Sequence, residues 1–218
     1  FCVFRMTQNA SPSQAHENSL YTNAETGAIA GKNALQHARL KPSDIGLVIA
    51  GGCSPQKSIP AEACVIAQQL GITAPAFDLN SACSSFVAQI HWLASMRKEN
   101  LPPYTLIVNV ENNARTVDYR DRSTAVLWGD GTSAAVISKE KIAKMRVKYS
   151  VLESDPSGWD KVVIPVGGHF AQVGNHVQSF AIKKTLSTLS EIRSKVKNQN
   201  TLHFIGHQAN KMMLNTVC

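Results

Sequence analysis

The stretch Phe77-Asp78-Leu79-Asn80-Ser81-Ala82-Cys83-Ser84-Ser85-Phe86 decides how this chain is read. A short apolar run, Ala76 to Leu79, predicts a strand that passes through small residues into a helix. The helix is expected to start near Cys83 and to run to about Met96. A helix N-terminus presents unpaired N–H groups and the positive end of the helix dipole. A cysteine so placed is expected to have a lowered pKa and to act as a nucleophile. A buried structural cysteine is the commoner alternative.

Working outward, Thr22 to Arg39 predicts an amphipathic helix on Ala24, Ala28, Ala34, Leu35 and Ala38, stopped by Lys41-Pro42-Ser43-Asp44. The apolar run Gly46 to Gly52 predicts a strand buried on both faces. Pro60 opens a helix over Ala61 to Leu70, and Gly71 ends it. Further strands are predicted at Leu106–Val110, Thr132–Ser138, Arg146–Leu152 and Leu202–Ile205. Long helical periodicity covers Val173 to about Val196, and another helix begins at Asn210. Alternating strands and helices indicate a layered α/β fold with a largely parallel sheet. Strand–helix units recur before and after about Ser138, which divides the chain into 1–138 and 139–218.

The chain has 218 residues, 44% hydrophobic and 17% charged, as expected of a soluble globular protein. Its apolar runs are too short to span a bilayer, no signal peptide is visible, and a cytoplasmic protein is the expectation. The net charge of +7 is scattered, densest from Lys183 to Lys197, and aromatics are only 6%. Nucleic-acid binding is therefore not expected; the basic surface suits an acidic carrier protein or a phosphorylated cofactor. The 5 cysteines (Cys2, Cys53, Cys64, Cys83 and Cys218) show no metal or redox spacing, so reduced thiols and no metal site are expected.

Two further segments bear chemistry. In Leu202-His203-Phe204-Ile205-Gly206-His207-Gln208-Ala209-Asn210, a strand ends in a polar cluster, the place where α/β folds handle ligands. There His207 can exchange protons near neutral pH and Asn210 can donate to an oxyanion. His203 is a strand position without a special role, and His16, His37, His91, His169 and His176 read as structural or surface residues. Leu127-Trp128-Gly129-Asp130-Gly131-Thr132 carries a Gly-Asp-Gly tight-turn signal that matches no nucleotide-phosphate loop.

Taken in order, DLNSACSSF, LWGDGTSAAVIS and HQAN resemble the nucleophile, Gly-Asp-Gly and histidine segments of the β-ketoacyl-[acyl-carrier-protein] synthase III family. Ile59-Pro60-Ala61, Arg120-Asp121-Arg122-Ser123-Thr124 and Gln172-Val173-Gly174-Asn175 fit as well. The resemblance implies a thiolase-like layered αβαβα fold of two related halves, with the nucleophile in the first and the histidine in the second. It implies that Cys83 takes an acyl group from coenzyme A, and that His207 assists decarboxylation or deprotonation of the second substrate. Phe86 would pack beside the nucleophile and Asn210 would support the histidine loop. Arg122 would stand at the mouth of the coenzyme A tunnel, and Ile59 would reach into a partner's acyl pocket. The partners implied are acyl-CoA, acyl carrier protein and a second copy of the chain, with no resident cofactor.

The sequence departs from the family pattern in places. The family's third catalytic residue, an asparagine, falls beyond Cys218, and the opening strand is absent, so a longer protein is expected. Val166-Gly167-Gly168-His169-Phe170 is compressed, and Lys211-Met212 stands where the family places an arginine. Three readings result: decarboxylative Claisen condensation with malonyl-carrier-protein, acyl transfer to another acceptor by the same Cys/His pair, or a degenerate subunit without catalysis.

Overall fold

The computed structural model describes residues 21–196, except 142 and 144, and residues 203–217. Cys2, His16, Lys197, Leu202 and Cys218, each named above, lie outside the described residues. The first helix, α1 (Asn23–Ala38), starts at a reciprocal cap: Thr22 Oγ1 accepts from the Glu25 N–H, and the Glu25 carboxylate accepts from the Thr22 N–H. There follow β1 (Leu47–Gly51), α2 (Glu62–Leu70), β2 (Ala76–Asp78), α3 (Ser85–Ser95), β3 (Tyr104–Glu111) and β4 (Gly131–Ser138).

These strands form one sheet in the order β2-β1-β3-β4. The β1 strand pairs in parallel with β2 and β3, as predicted, whereas β4 returns antiparallel to β3 with Thr105 opposite Ile137. All of β1 is buried because both of its faces are covered. On one face Val48 and Ala50 pack with Leu106, Val108 and Val110 under Leu35 of α1 and Ile66 of α2. On the other, Leu47, Ile49 and Ile107 pack with Leu93, Ile90 and Trp92 of α3. The crossing of α1 and α2 is close: a Cβ added at Gly27 would lie 2.6 Å from Ile66 Cδ1.

Several predicted boundaries shift for local reasons. Pro60 lies two residues before α2, not at its first turn; the Asp78 carboxylate on β2 accepts from the N–H groups of Glu62 (2.8 Å) and Ala63 (2.9 Å) and fixes the start there. Residues 128–130 are irregular and not a tight turn; Asp130 is tied back to the Ala114 N–H (2.8 Å) and the Tyr21 hydroxyl (2.8 Å). Arg146 to Leu152 forms no strand. That segment is held by side chains: Ser150 bonds the His91 ring (3.0 Å), and Tyr149 bonds Glu191 under the Lys195 ammonium.

Beyond β4, β5 (Val162–Val163) pairs antiparallel with β6 (Ala171–Gln172), followed by α4 (Gly174–Lys195) and α5 (Lys211–Val217). The predicted strand at Leu202–Ile205 is irregular over residues 203–205. Trp128 joins the two regions on either side of β4, its ring edge-on to Phe170 at 4.6 Å, while the Phe170 N–H donates to Thr116 O (2.8 Å). Among the described residues no helix is long and apolar enough to cross a membrane.

The core assignment predicts that Ile66→Ala destabilises the protein by about 3 kcal/mol, the cost of a cavity at a fully buried site. Ile29→Ala, on the exposed face of α1, should cost less than about 0.5 kcal/mol. Urea unfolding of the two variants beside the parent measures the difference.

Candidate functional site

Cys83 sits in a single 3-10 turn, Ala82–Ser84, between β2 and α3. The turn is a strained elbow: Ala82 has φ 47, a left-handed conformation that side chains other than glycine rarely adopt. Side chains hold it there. Asn80 Oδ1 accepts from the Ala82 N–H (2.9 Å) and from the Ser85 hydroxyl (3.1 Å). Ser85 Oγ accepts from the Ser81 N–H (2.9 Å), and Ser84 Oγ–H donates to Ser81 O (2.7 Å). Small hydroxyl residues around Cys83 thus supply the bonds that a longer turn would make with its backbone.

Beneath the elbow, Gln89 of α3 and Asn109 of β3 exchange amide hydrogen bonds (3.0 and 3.1 Å), and Gln89 also donates to Leu79 O. Gly51 lies under this contact: a Cβ there would meet Gln89 Nε2 at 2.7 Å and Ser85 Cβ at 2.9 Å. Gly51 is opposite Asn109 across the β1–β3 ladder, so Cys53 and Glu111 stand two residues further along, at the same sheet edge. There the Cys53 N–H donates to Glu111 Oε2 (3.1 Å), Cys53 Sγ lies 3.9 Å from Oε1, and Asn113 Nδ2 donates to Oε2 (2.8 Å). A small cavity opens beside this edge among Gly51, Gly52, Asp78, Asn80 and Glu62.

The protonation of Cys83 runs against the sequence expectation. Its thiol is held above the ordinary value, first by burial of the sulfur and then by the Glu111 carboxylate; the residue's own N–H offsets some of this. The residue as a whole is nonetheless exposed. Helix-dipole stabilisation is weak because α3 begins two residues later, and the effect fades within the first turn. The Cys53 thiol is pushed up to about 12 by burial, Glu111 and Cys83.

Among the other predicted residues, Phe86 lies on the first turn of α3 beside Cys83 and is partly exposed. Ile59, on the loop before α2, is 84% exposed. Arg122 is exposed on the turn after β3, while Arg120 is committed to Asp118 at 2.9 Å and, chiefly through that hydrogen bond, holds its carboxyl at about 2. His207 is exposed on the irregular stretch before α5. Asn210 caps α5, its Oδ1 accepting from the Met213 N–H (3.1 Å). Among the described residues no hydrogen bond joins His207 or Asn210 to the Cys83 turn, and Phe86 lies three positions after Cys83 in the chain. Sequence reasoning missed Gln89, Asn109 and Glu111. Their signal was polarity inside apolar elements, since Asn109 and Glu111 interrupt the run of β3.

The sequence model of the family 3-Oxoacyl-[acyl-carrier-protein (ACP)] synthase III matches residues 77–156, which hold the Cys83 elbow, Glu111 and the Gly-Asp-Gly segment. The β-ketoacyl-[acyl-carrier-protein] synthase III of Helicobacter pylori is 30% identical over 216 residues, covering 89% of this chain and 64% of that protein. The Sulfurovum protein of the same name is 33% identical, covering 89% of this chain and 63% of that protein. In structure, the 3-oxoacyl-[acyl-carrier-protein] synthase III of Aquifex aeolicus superimposes with a TM-score of 0.84 at 28% identity, over 91% of this chain and 65% of that one. The chain is similar to β-ketoacyl-[acyl-carrier-protein] synthase III proteins in sequence and in fold. Its fold is the thiolase-like α/β fold, and the chain spans 64% of the length of the Helicobacter relative.

The thiols give a direct check on this geometry. At pH 8, brief iodoacetamide treatment should alkylate exposed Cys64 and leave Cys53 unmodified, as read by peptide mass mapping. Equal labelling of the two would contradict the enclosure of Cys53 beside Glu111.

Proposed function

We propose that this chain carries the acyl-accepting site of a condensing enzyme that joins an acyl group from coenzyme A to a malonyl unit on acyl carrier protein. The observation that carries the reading is Cys83 itself, an exposed cysteine on a strained strand-to-helix elbow inside the segment that matches the family model. Its sulfur attacks the thioester carbonyl, the carbon–sulfur bond to coenzyme A breaks, and an acyl-enzyme forms. Malonyl-carrier-protein then loses carbon dioxide, and the carbanion so formed attacks the Cys83 acyl carbon to give a β-ketoacyl product. Backbone N–H groups at the elbow serve as the oxyanion donors for both tetrahedral intermediates.

His207 takes the general acid–base role in the second half-reaction. Arg122, exposed on the turn after β3, receives the phosphates of coenzyme A. Phe86 and Ile59 shape the acyl pocket, with Ile59 reaching a second copy of the chain in a homodimer. The chemistry draws on no resident cofactor or metal. Free thiols at Cys53, Cys64 and Cys83 suit a reducing compartment such as the cytoplasm.

Intact-protein mass spectrometry of the full-length protein with a panel of acyl-coenzyme A thioesters tests the reading. An acyl adduct should form and be absent from Cys83→Ala. His207→Ala should still load the acyl group but lose at least ~100-fold in condensation with malonyl-carrier-protein. Failure of every thioester to leave an adduct would overturn the enzyme reading in favour of a degenerate subunit. Loading without condensation would favour acyl transfer to another acceptor.

A further inference from the structure

Among the described residues, three buried side-chain polar atoms make no hydrogen bond: Asn113 Oδ1, Trp128 Nε1 and His169 Nδ1. Native structures rarely leave such atoms unpaired, and three on neighbouring segments call for one cause. The segments meet at a single junction. Thr116 Oγ1–H donates to Asn113 O (2.8 Å) and closes the turn Asn113–Thr116, while Thr116 O accepts from the Phe170 N–H (2.8 Å). The Phe170 ring packs on Trp128 at 4.6 Å. The Ala114 N–H donates to Asp130 Oδ1 (2.8 Å), two residues beyond Trp128.

Neighbouring groups cannot relieve the deficit, because they are already committed. Asp130 Oδ2 accepts from the Tyr21 hydroxyl, and the Tyr119 hydroxyl donates to Ala114 O. Turning over the Asn113 amide would not help. Its Nδ2 donates to Glu111 Oε2 (2.8 Å), and a reversed oxygen would face that carboxylate. Asn113 is 2% exposed, so its acceptor is fixed in place and shielded from solvent. Glu111 Oε2 also accepts from the Cys53 N–H, which puts Asn113 at the carboxyl edge of the sheet, the edge that carries the Cys83 elbow.

We propose that Asn113 and Trp128 recognise a hydroxyl group on the acyl chain that Cys83 accepts. The proposal rests on the condensing-enzyme reading and adds a substrate class to it, hydroxyacyl thioesters. A hydroxyl oxygen accepts from the indole N–H while its proton goes to the amide oxygen, so one group satisfies both atoms. A keto oxygen satisfies the indole alone, and an unsubstituted chain satisfies neither. Such a site discriminates strongly, because the wrong chain leaves buried polar atoms unpaired. Phe170 is the part that yields to admit the chain. It is held by the backbone bond to Thr116 and the ring contact with Trp128, and the turn before it runs through exposed Val166 and Gly167. His169, next to Phe170, gains solvent as a partner in the same movement.

Matched coenzyme A thioesters test this in the full-length protein: β- and γ-hydroxybutyryl, acetoacetyl and butyryl, with hydroxyhexanoyl beside hexanoyl. Loading of Cys83 is timed by intact-protein mass spectrometry, and dissociation constants come from calorimetry on Cys83→Ala. At least one hydroxylated chain should load about 100-fold faster than its unsubstituted match, roughly tenfold for each hydrogen bond. Trp128→Phe and Asn113→Leu should each lower that ratio about tenfold. On the Cys83→Ala background, tighter binding of acetoacetyl than of butyryl should vanish with Trp128→Phe and persist with Asn113→Leu, a pattern that simple loosening of the junction would not give. Should one variant fail to fold, the other and the wild-type ratio still decide. Loading without preference for any hydroxylated chain, or a preference that survives the substitutions, overturns the proposal and leaves the enzyme reading standing. A preference in binding to Cys83→Ala without loading of the wild type sinks the enzyme reading alone, and neither binding nor loading sinks both.

Discussion

The double burial of β1 constrains everything around it. With Val48 and Ala50 in one core layer and Leu47 and Ile49 in the other, the strand cannot slip by a residue without inverting both. Its parallel partners β2 and β3 are therefore locked in register, and all three carboxyl ends finish at one edge. Gly51 to Cys53, Asp78 to Cys83 and Asn109 to Glu111 meet there, where open α/β sheets place their chemistry. The site follows from core packing before any catalytic residue is considered.

Polar groups complete what the apolar layers begin. The reciprocal Gln89–Asn109 pair spans α3 and β3 at a place where neither amide reaches water, so losing one partner strands the other. Arg115, 1% exposed, acts in the same manner further from the elbow. It donates to Asn112 O (3.1 Å), Asn23 Oδ1 (3.0 Å) and Ser54 O (2.6 Å), tying the loop after β3 to the first residue of α1 and the loop after β1. Burial pulls the guanidinium's proton affinity down, and Asp130 and Glu62 act against that. Because Ser54 follows Cys53, this network also fixes where Cys53 meets Glu111.

Much of this was legible in the sequence, for physical reasons. The run Gly46 to Gly52 could only be a strand covered on both faces, and the pattern from Thr22 to Arg39 could only be a helix with one buried stripe. Small polar residues from Asn80 to Ser85 announced a tight strand-to-helix passage with a cysteine in it. The direction of β4 was not legible, because periodicity records which residues are buried and not which way a strand runs. Arg146 to Leu152 misled for a related reason. Val147 and Tyr149 alternate as in a strand, yet Tyr149 spends its ring and hydroxyl on Lys195 and Glu191, distant in sequence. The state of the Cys83 thiol was misjudged because the helix start was visible locally while the burial of the sulfur, and Glu111 on another strand, were not.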